Sequence, residues 1–312
     1  MKLSKAERMM LGIAIGDALG REYENISRKE ITIEKVPEGY AKGTGVYTDD
    51  TQMSIAVAET MISGKPFEAE TLALKFTEAY RRDRREGYSR ETLSMLENSS
   101  TGEEFIASMT RKEKAARRSD GAAMRAVPIG LFPGTGDVIR NAIINSEISH
   151  AHQHAISASV AIALASHYFY YDRGPRKNII EYIMLHMEHK WPNICSYLKT
   201  VNELEGFDHE TILGEYADYG PPYTDAKPVL GAVLFIIKMH SDNPLEAIQE
   251  TLSLGGDADT TLNMVLGIIM TDHPAGTLPE KLVRDLENGK FGRDYLLKLG
   301  KELDRRFPAG VN

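Results

Sequence analysis

Apolar residues recur at the three-and-four spacing of a helix along nearly all 312 residues, and the alternation of a strand is almost absent. The spacing predicts helices near 5–19, 50–63, 67–84, 90–97, 102–109, 121–131, 135–147, 151–171, 175–189, 193–204, 226–240, 244–253, 258–271, 278–287 and 291–305. Breakers mark several of these limits: Gly64–Lys65–Pro66 closes one helix, Gly174–Pro175 separates two, and Asn243–Pro244 opens another. Only Ile31–Thr32–Ile33 and the glycine-rich stretch from Gly39 to Tyr47 look extended, and the latter reads as a loop. No alternation of strands and helices supports a parallel sheet, and no fixed-period repeat occurs. The expected fold is all-α. Because no Pro/Ser-rich linker divides it, residues 1–312 are read as one compact domain, although ~150 residues per domain would suggest two.

Composition narrows the function classes. A chain 42% hydrophobic and 26% charged is neither disordered nor fibrous, and it can bury a large core without disulfide or metal staples. Its one cysteine, Cys195, excludes an intramolecular disulfide and any site made of several thiolates. The net charge of −8 argues against non-specific nucleic-acid binding, which rests on phosphate neutralisation. The basic cluster Arg81–Arg82 with Arg84–Arg85 is interrupted by Asp83 and followed by Glu86, and reads as a solvated helix end. The N-terminus starts basic and apolar like a signal peptide. Charges at Glu7, Arg8 and Asp17 break that block, so an amphipathic helix fits better. No run approaches ~18 apolar residues, so no membrane span is expected, and a reducing, cytoplasmic setting follows.

The first predicted helix holds Gly12, Gly16 and Gly20 on one face. Each glycine costs ~1 kcal/mol against alanine inside a helix. Close approach of another helix, or of a ligand, is the reason such a face would be kept.

The strongest chemical signal is a pair of acidic clusters about 200 residues apart: Thr48–Asp49–Asp50–Thr51–Gln52–Met53 and Gly255–Gly256–Asp257–Ala258–Asp259–Thr260–Thr261. Each lies where a glycine-rich loop opens an apolar helix. One reading is capping, since Asp and Thr are good N-caps and Asp49 with Gln52 resembles a capping box. Capping uses one side chain, however, and each cluster offers two carboxylates and a hydroxyl. In an irregular turn these can converge, and four uncompensated carboxylates would repel until some protonated. A divalent cation resolves the conflict. Oxygen ligands point to Mg²⁺ or Mn²⁺ and away from Zn²⁺, and four carboxylates would neutralise two such ions.

Four motifs occur in order: Gly16–Asp17–Ala18–Leu19–Gly20 with Glu24, Thr48–Asp49–Asp50–Thr51, Ser119–Asp120–Gly121–Ala122–Ala123–Met124–Arg125, and Gly256–Asp257–Ala258–Asp259–Thr260. Together they resemble the ADP-ribosylglycohydrolase family, which includes dinitrogenase-reductase-activating glycohydrolase. The match runs from roughly residue 7 to 270, sharp at the motifs and weak between 60 and 115 and between 170 and 250. The resemblance implies an all-α fold with two Mg²⁺ or Mn²⁺ ions, held by Thr48, Asp49, Asp50, Asp257, Asp259 and Thr260. It further implies that Glu24, Asp49 and Asp259 are catalytic. Asp17, Ser119, Asp120, Gly121, Ala122, Met124 and His150 fall at substrate-binding positions. The family loop usually has Asn where Asp120 stands. Backbone N–H groups of Gly121 and Ala122 at a helix start would face a pyrophosphate, which an ionised Asp120 would repel. Ser149–His150–Ala151–His152–Gln153–His154 resembles the family's Thr-His-x-His segment. A Zn²⁺ site from His150 and His154 lacks a third His or thiolate nearby in sequence. Tyr219, Pro221, Pro222 and Tyr223 form a rigid loop in which Tyr223 is the aromatic that would stack an adenine face, with loop packing as the other reading.

The implied reaction is hydrolysis of the glycosidic bond joining ADP-ribose to a protein or small-molecule acceptor, releasing ADP-ribose. The alternative is a catalytically inactive relative that binds ADP-ribose or is structural, like the crystallin-like members. A His-Asp phosphohydrolase needs His followed by Asp, and the chain has only Asp208–His209 and Asp272–His273. Arginine-, serine- and nucleic-acid-linked ADP-ribose stay open as acceptors, since selectivity would sit in loops 25–47, 85–118 and 205–225. Nothing in the sequence points to an oligomeric state or a particular partner.

Overall fold

A computed structural model describes residues 3–310, so the ends of the expected 1–312 domain lie outside the described residues. Among these the chain is all-α. The first half runs α1 (Lys5–Gly20), α2 (Asp49–Ile62), α3 (Ala69–Arg82), α4 (Arg90–Asn98), α5 (Gly102–Ala107), α6 (Arg111–Ala116), α7 (Thr135–Glu147) and α8 (Gln153–Tyr170). The second runs α9 (Ile179–Met187), α10 (Pro192–Glu203), α11 (His209–Leu213), α12 (Ala226–His240), α13 (Pro244–Leu254), α14 (Ala258–Ile269), α15 (Glu280–Arg284) and α16 (Arg293–Arg306). The Gly39–Tyr47 stretch is a loop as expected, with one isolated parallel bridge from Gly45 to Leu286. Ile31–Thr32–Ile33 forms no strand. No described helix is long and apolar enough to cross a membrane.

Three expectations need correction. The first concerns α1, which is not amphipathic: it is buried from Met9 to Gly20, because α2, α14 and α16 surround it. A helix apolar all round belongs in a core, and here it runs through the middle of one. The second is the expected 121–131 helix, which is replaced by two 3₁₀ turns, Asp120–Ala122 and Val127–Leu131. Side chains take the carbonyls that an α-helix would use: Arg125 Nη1 donates to Gly121 O at 2.7 Å and Asn145 Nδ2 to Ala122 O at 2.8 Å. Pro128 also lacks the N–H that would continue the helix. The third is Arg85 of the basic cluster: Arg81, Arg82 and Arg84 are exposed at the end of α3 as expected, whereas Arg85 is half-buried. Arg82 pairs with buried Glu59, and Arg85 bonds Asp83 and Glu287 while lying 4.0 Å from the Tyr47 ring centroid. The short helix α6 was missed, although Thr110 and Glu113 form a full capping box visible in the sequence.

The glycine face has a packing cause. A Cβ on Gly12, Gly16 or Gly20 would lie 2.4 Å from the carbonyl oxygen of Leu266, Leu262 or Ala258 respectively. Helices α1 and α14 therefore touch backbone to backbone. That contact carries Asp17 of α1 to the start of α14, where the second acidic cluster begins.

Candidate metal centre

The two acidic clusters meet. Oxygen atoms of Asp17, Asp50 and Asp259 all lie within 4.8 Å of one another, and all three residues are buried. Asp17 sits beneath the start of α2. Its carboxylate accepts from Thr48 N at 2.9 Å, Thr48 Oγ1 at 2.8 Å, Thr51 N at 2.9 Å and Thr51 Oγ1 at 2.6 Å. A residue from another helix thus does the work of an N-cap. Thr48, the residue at the N-cap position, makes no side-chain cap bond, and Gln52 turns away to accept from Tyr88 Oη at 2.7 Å. The capping-box reading of Asp49 and Gln52 is therefore not realised, and neither Asp49 nor Asp50 is used as a cap.

The second cluster is placed by a glycine turn. Gly255 and Gly256 both have positive φ, and a Cβ on either would strike Ile26 O or Pro221 O at 2.4 and 2.3 Å. Around them Asn25 N donates to Gly256 O, Gly256 N to Ile26 O, and Asp257 N to Pro221 O. Three loops are joined here, and Asp257 and Asp259 leave that junction pointing at the first cluster. Asp257 makes no side-chain cap bond either, while Asp259 Oδ1 accepts from Thr260 N at 2.9 Å. Thr260 is buried beside them. Asn263, one turn on, reaches Asp50 Oδ1 at 3.3 Å.

Electrostatics make the crowding explicit. Burial pushes the Asp49 carboxyl up to about 8, with the charge of Asp17 next in importance. Burial likewise lifts Asp50, Asp257 and Asp259 well above the carboxylate range, with Asp259, Asp120 and Asp257 their respective main neighbours. Asp17 is raised by burial against the opposing pull of its Thr48 and Thr51 bonds. Such a set is stable as anions only beside a positive charge. Two buried oxygens there, Asp120 Oδ2 and Asn263 Oδ1, have no hydrogen-bond partner. An all-oxygen donor set with unsatisfied acceptors fits a hard divalent cation.

The remaining residues fall around this cluster at different depths. Glu24 is half-buried in the turn after α1, accepts from Asn25 Nδ2 at 3.0 Å, and its charge is felt by Asp49 and Asp259. Ser119 and His150 are partners: Ser119 Oγ lies 2.9 Å from His150 Nε2, and Ser149 Oγ 2.8 Å from Nδ1. Burial, then Arg117 and Arg125, hold this imidazole neutral. With both nitrogens engaged, His150 supports the Ser119 loop from behind. His154 bonds Asp225 at 2.7 Å instead, so the two histidines do not converge on a zinc site. Gly121 and Ala122 lie in a three-residue 3₁₀ turn, so the helix-dipole argument for a pyrophosphate lapses there, and Met124 is buried. Tyr223 is 58% exposed, whereas Tyr219 lies closer in, under the charges of Asp257 and Glu24, with its hydroxyl on Asn25 Oδ1.

Sequence reasoning placed Asp17 and Asp120 among substrate contacts; the Asp17 carboxyl belongs to the acid cluster, and Asp120 lies beside Asp257. That reasoning gave no role to Arg125, which is 1% exposed and holds Gly121 O, Asn145 and Ser149. Gly87 was also passed over. A Cβ there would fall 1.9 Å from Asp49 Oδ1, so this loop packs directly over the carboxylate.

The ADP-ribosylglycohydrolase family model matches residues 1–310. The chain is 25% identical to the "ADP-ribosylhydrolase ARH3" of Xenopus tropicalis, over 98% of each chain. It is 22% identical to that of Homo sapiens, over 91% of this chain and 90% of the other. A solved "ADP-ribosylglycohydrolase-related protein complex" superposes with a TM-score of 0.73 at 20% identity, covering 97% of this chain and 98% of that one.

Proposed function

The chain belongs to the ADP-ribosylglycohydrolase family, and from that premise we propose that it is a divalent-metal-dependent hydrolase that releases ADP-ribose from ADP-ribosylated proteins or small-molecule conjugates. The observation that carries this is the meeting of two acidic motifs, far apart in sequence, at the buried Asp17–Asp50–Asp259 cluster. Thr48, Asp49, Asp50, Asp257, Asp259 and Thr260 would hold two Mg²⁺ or Mn²⁺ ions, with Asp17 bracing the set from below. Ions so held supply charge to bind a ribose cis-diol and to ease deprotonation of water.

The chain's own residues do the rest. A glycosidic bond breaks with oxocarbenium character, and carboxylates such as Asp49 and Asp259 stabilise positive charge developing on the ring. Glu24, at the rim and near both acids, is placed to give or take the proton at the glycosidic oxygen or nitrogen. Gly87 and the 85–88 loop close over Asp49 and keep bulk water from it. Ser119, backed by His150, and Tyr219 with Tyr223 border the path along which the rest of ADP-ribose would lie. The whole chain is taken as one domain built around this centre.

The test is a panel of arginine-, serine- and nucleic-acid-linked ADP-ribose and small conjugates, assayed for free ADP-ribose with Mg²⁺, with Mn²⁺ or with chelator. Release with at least one substrate, lost on chelation and in Asp257→Asn/Asp259→Asn, is expected. Binding of ADP-ribose without turnover of any substrate would make the chain an inactive relative.

A further inference from the structure

Asp120 is only 4% exposed, and its Oδ2 is buried with no hydrogen-bond donor among the described residues. It is not the cap of its 3₁₀ turn: Ser119 holds the N-cap position, and Asp120 is the first residue of the turn. Its carboxyl lies within hydrogen-bond range of Asp257, with Asp50 and Asp259 close enough to act on it. The backbone that delivers it is fixed on three sides. His150 holds Ser119, Arg125 Nη1 donates to Gly121 O, and Asn145 Nδ2 donates to Ala122 O. Arg125 and Asn145 are themselves buried and bonded to each other at 2.8 Å. A fixed carboxylate oxygen, dry and without a donor, is costly unless something positive takes it.

The motif that this segment resembles usually has Asn at the same place. Asn would offer one neutral oxygen and two donors, and those donors would satisfy a neighbouring carboxylate. Asp offers two acceptors and a charge, which only worsens an anionic cluster that holds no cation. We propose that Asp120 is a further carboxylate ligand of the cation centre, acting beside Asp257, so that this chain holds its cations with one negative charge more than the usual motif supplies. The proposal rests on the metal-centre reading given above. It also gives the Ser119–Ala122 turn a ligand-bearing role in place of a pyrophosphate-facing one, consistent with the absence of an α-helix there.

The test uses the full chain, stripped with chelator and titrated with Mn²⁺, with free ion counted by electron paramagnetic resonance. Asp120→Asn keeps the shape and removes the charge. At least one Mn²⁺ should bind tenfold or more weakly than in the wild type, while the melting temperature in chelator stays equal or rises, because one buried acid has gone. Mn²⁺ affinity within twofold of the wild type would overturn the proposal and make Asp120 and Asp257 a pair sharing a proton. Should the variant not fold, Mn²⁺-soaked crystals of the wild type decide: an Asp120 oxygen directly on an ion supports the ligand role, and one turned away from every ion refutes it. No Mn²⁺ bound by the wild type would bring down the metal-centre reading itself, which separates the two failures.

Discussion

Alanine at Gly20 tests whether helix packing sets the geometry of the acid cluster. Its Cβ would sit 2.4 Å from Ala258 O and 2.5 Å from Asp259 Cα, both backbone atoms that cannot rotate away. Ordinary contact begins near 3.4 Å, so α1 and α14 must part by about 1 Å at this point. Overpacking of this kind costs ~1–3 kcal/mol, while alanine recovers ~1 kcal/mol of helix propensity. Because the clash is with backbone, the overpacking cost falls at its upper end and the net loss is about 2 kcal/mol. The same shift carries Asp259 away from Asp17 and Asp50, and a misplacement of ~1 Å is enough to cost ~100-fold in a preorganised site. Gly12→Ala is the control. Its Cβ meets Leu266 O at the same 2.4 Å, but seven residues, or roughly 10 Å, along α14 from Asp259. Chemical denaturation in chelator should show similar destabilisation of both variants, and Mn²⁺ titration should show weakened binding in Gly20→Ala alone. Equal Mn²⁺ affinity in the two, or no loss of stability in either, would refute the idea that the glycine contact positions the cluster.

Glu24→Gln should bind Mn²⁺ like the wild type and lose most of its turnover number; unchanged turnover would remove Glu24 from the proton transfer. Stability in chelator should fall as pH rises from about 4 towards 8. Asp49, raised to about 8, keeps its proton in the folded chain while the unfolded chain releases it near the ordinary aspartate value of 3.8. The folded state therefore binds more protons throughout that window, and the slope of stability against pH is negative. Denaturation midpoints at pH 5 and pH 8 check this, and added Mn²⁺ should remove the decline. Arg125→Lys keeps a charge but cannot reach Gly121 O, Asn145 and Ser149 together, so dry acceptors should cost about 1–3 kcal/mol. Its KM should rise as the Ser119 turn loosens, and a wild-type KM in a destabilised variant would show that the turn does not touch substrate.

Helical periodicity carried the fold because it is local. Most α-helix limits fell within a few residues of those predicted, and the glycine face of α1 correctly announced a close neighbour. The exceptions have non-local causes. The 121–131 segment has helical composition, but Arg125 and Asn145 take its carbonyls, and nothing in the segment itself shows that Asn145 will be there. Arg85 reads as solvated because its partner, Glu287, is remote in sequence. The acid pairs were legible as a site because two carboxylates and a hydroxyl exceed what capping needs. That Asp17 would serve as the N-terminal acceptor for α2, and so join the cluster, depends on the α1–α14 contact and could be read only in three dimensions. The same holds for Asp120, whose significance lies in an oxygen with no donor.

The most direct test of the central claim is anomalous diffraction from crystals of the full chain soaked in Mn²⁺. The account predicts anomalous density enclosed by oxygens of Asp50 from the first half of the chain and Asp259 from the second, with Asp17 behind them on its Thr48 and Thr51 bonds. Density confined to other residues, or none at saturating Mn²⁺, would contradict it.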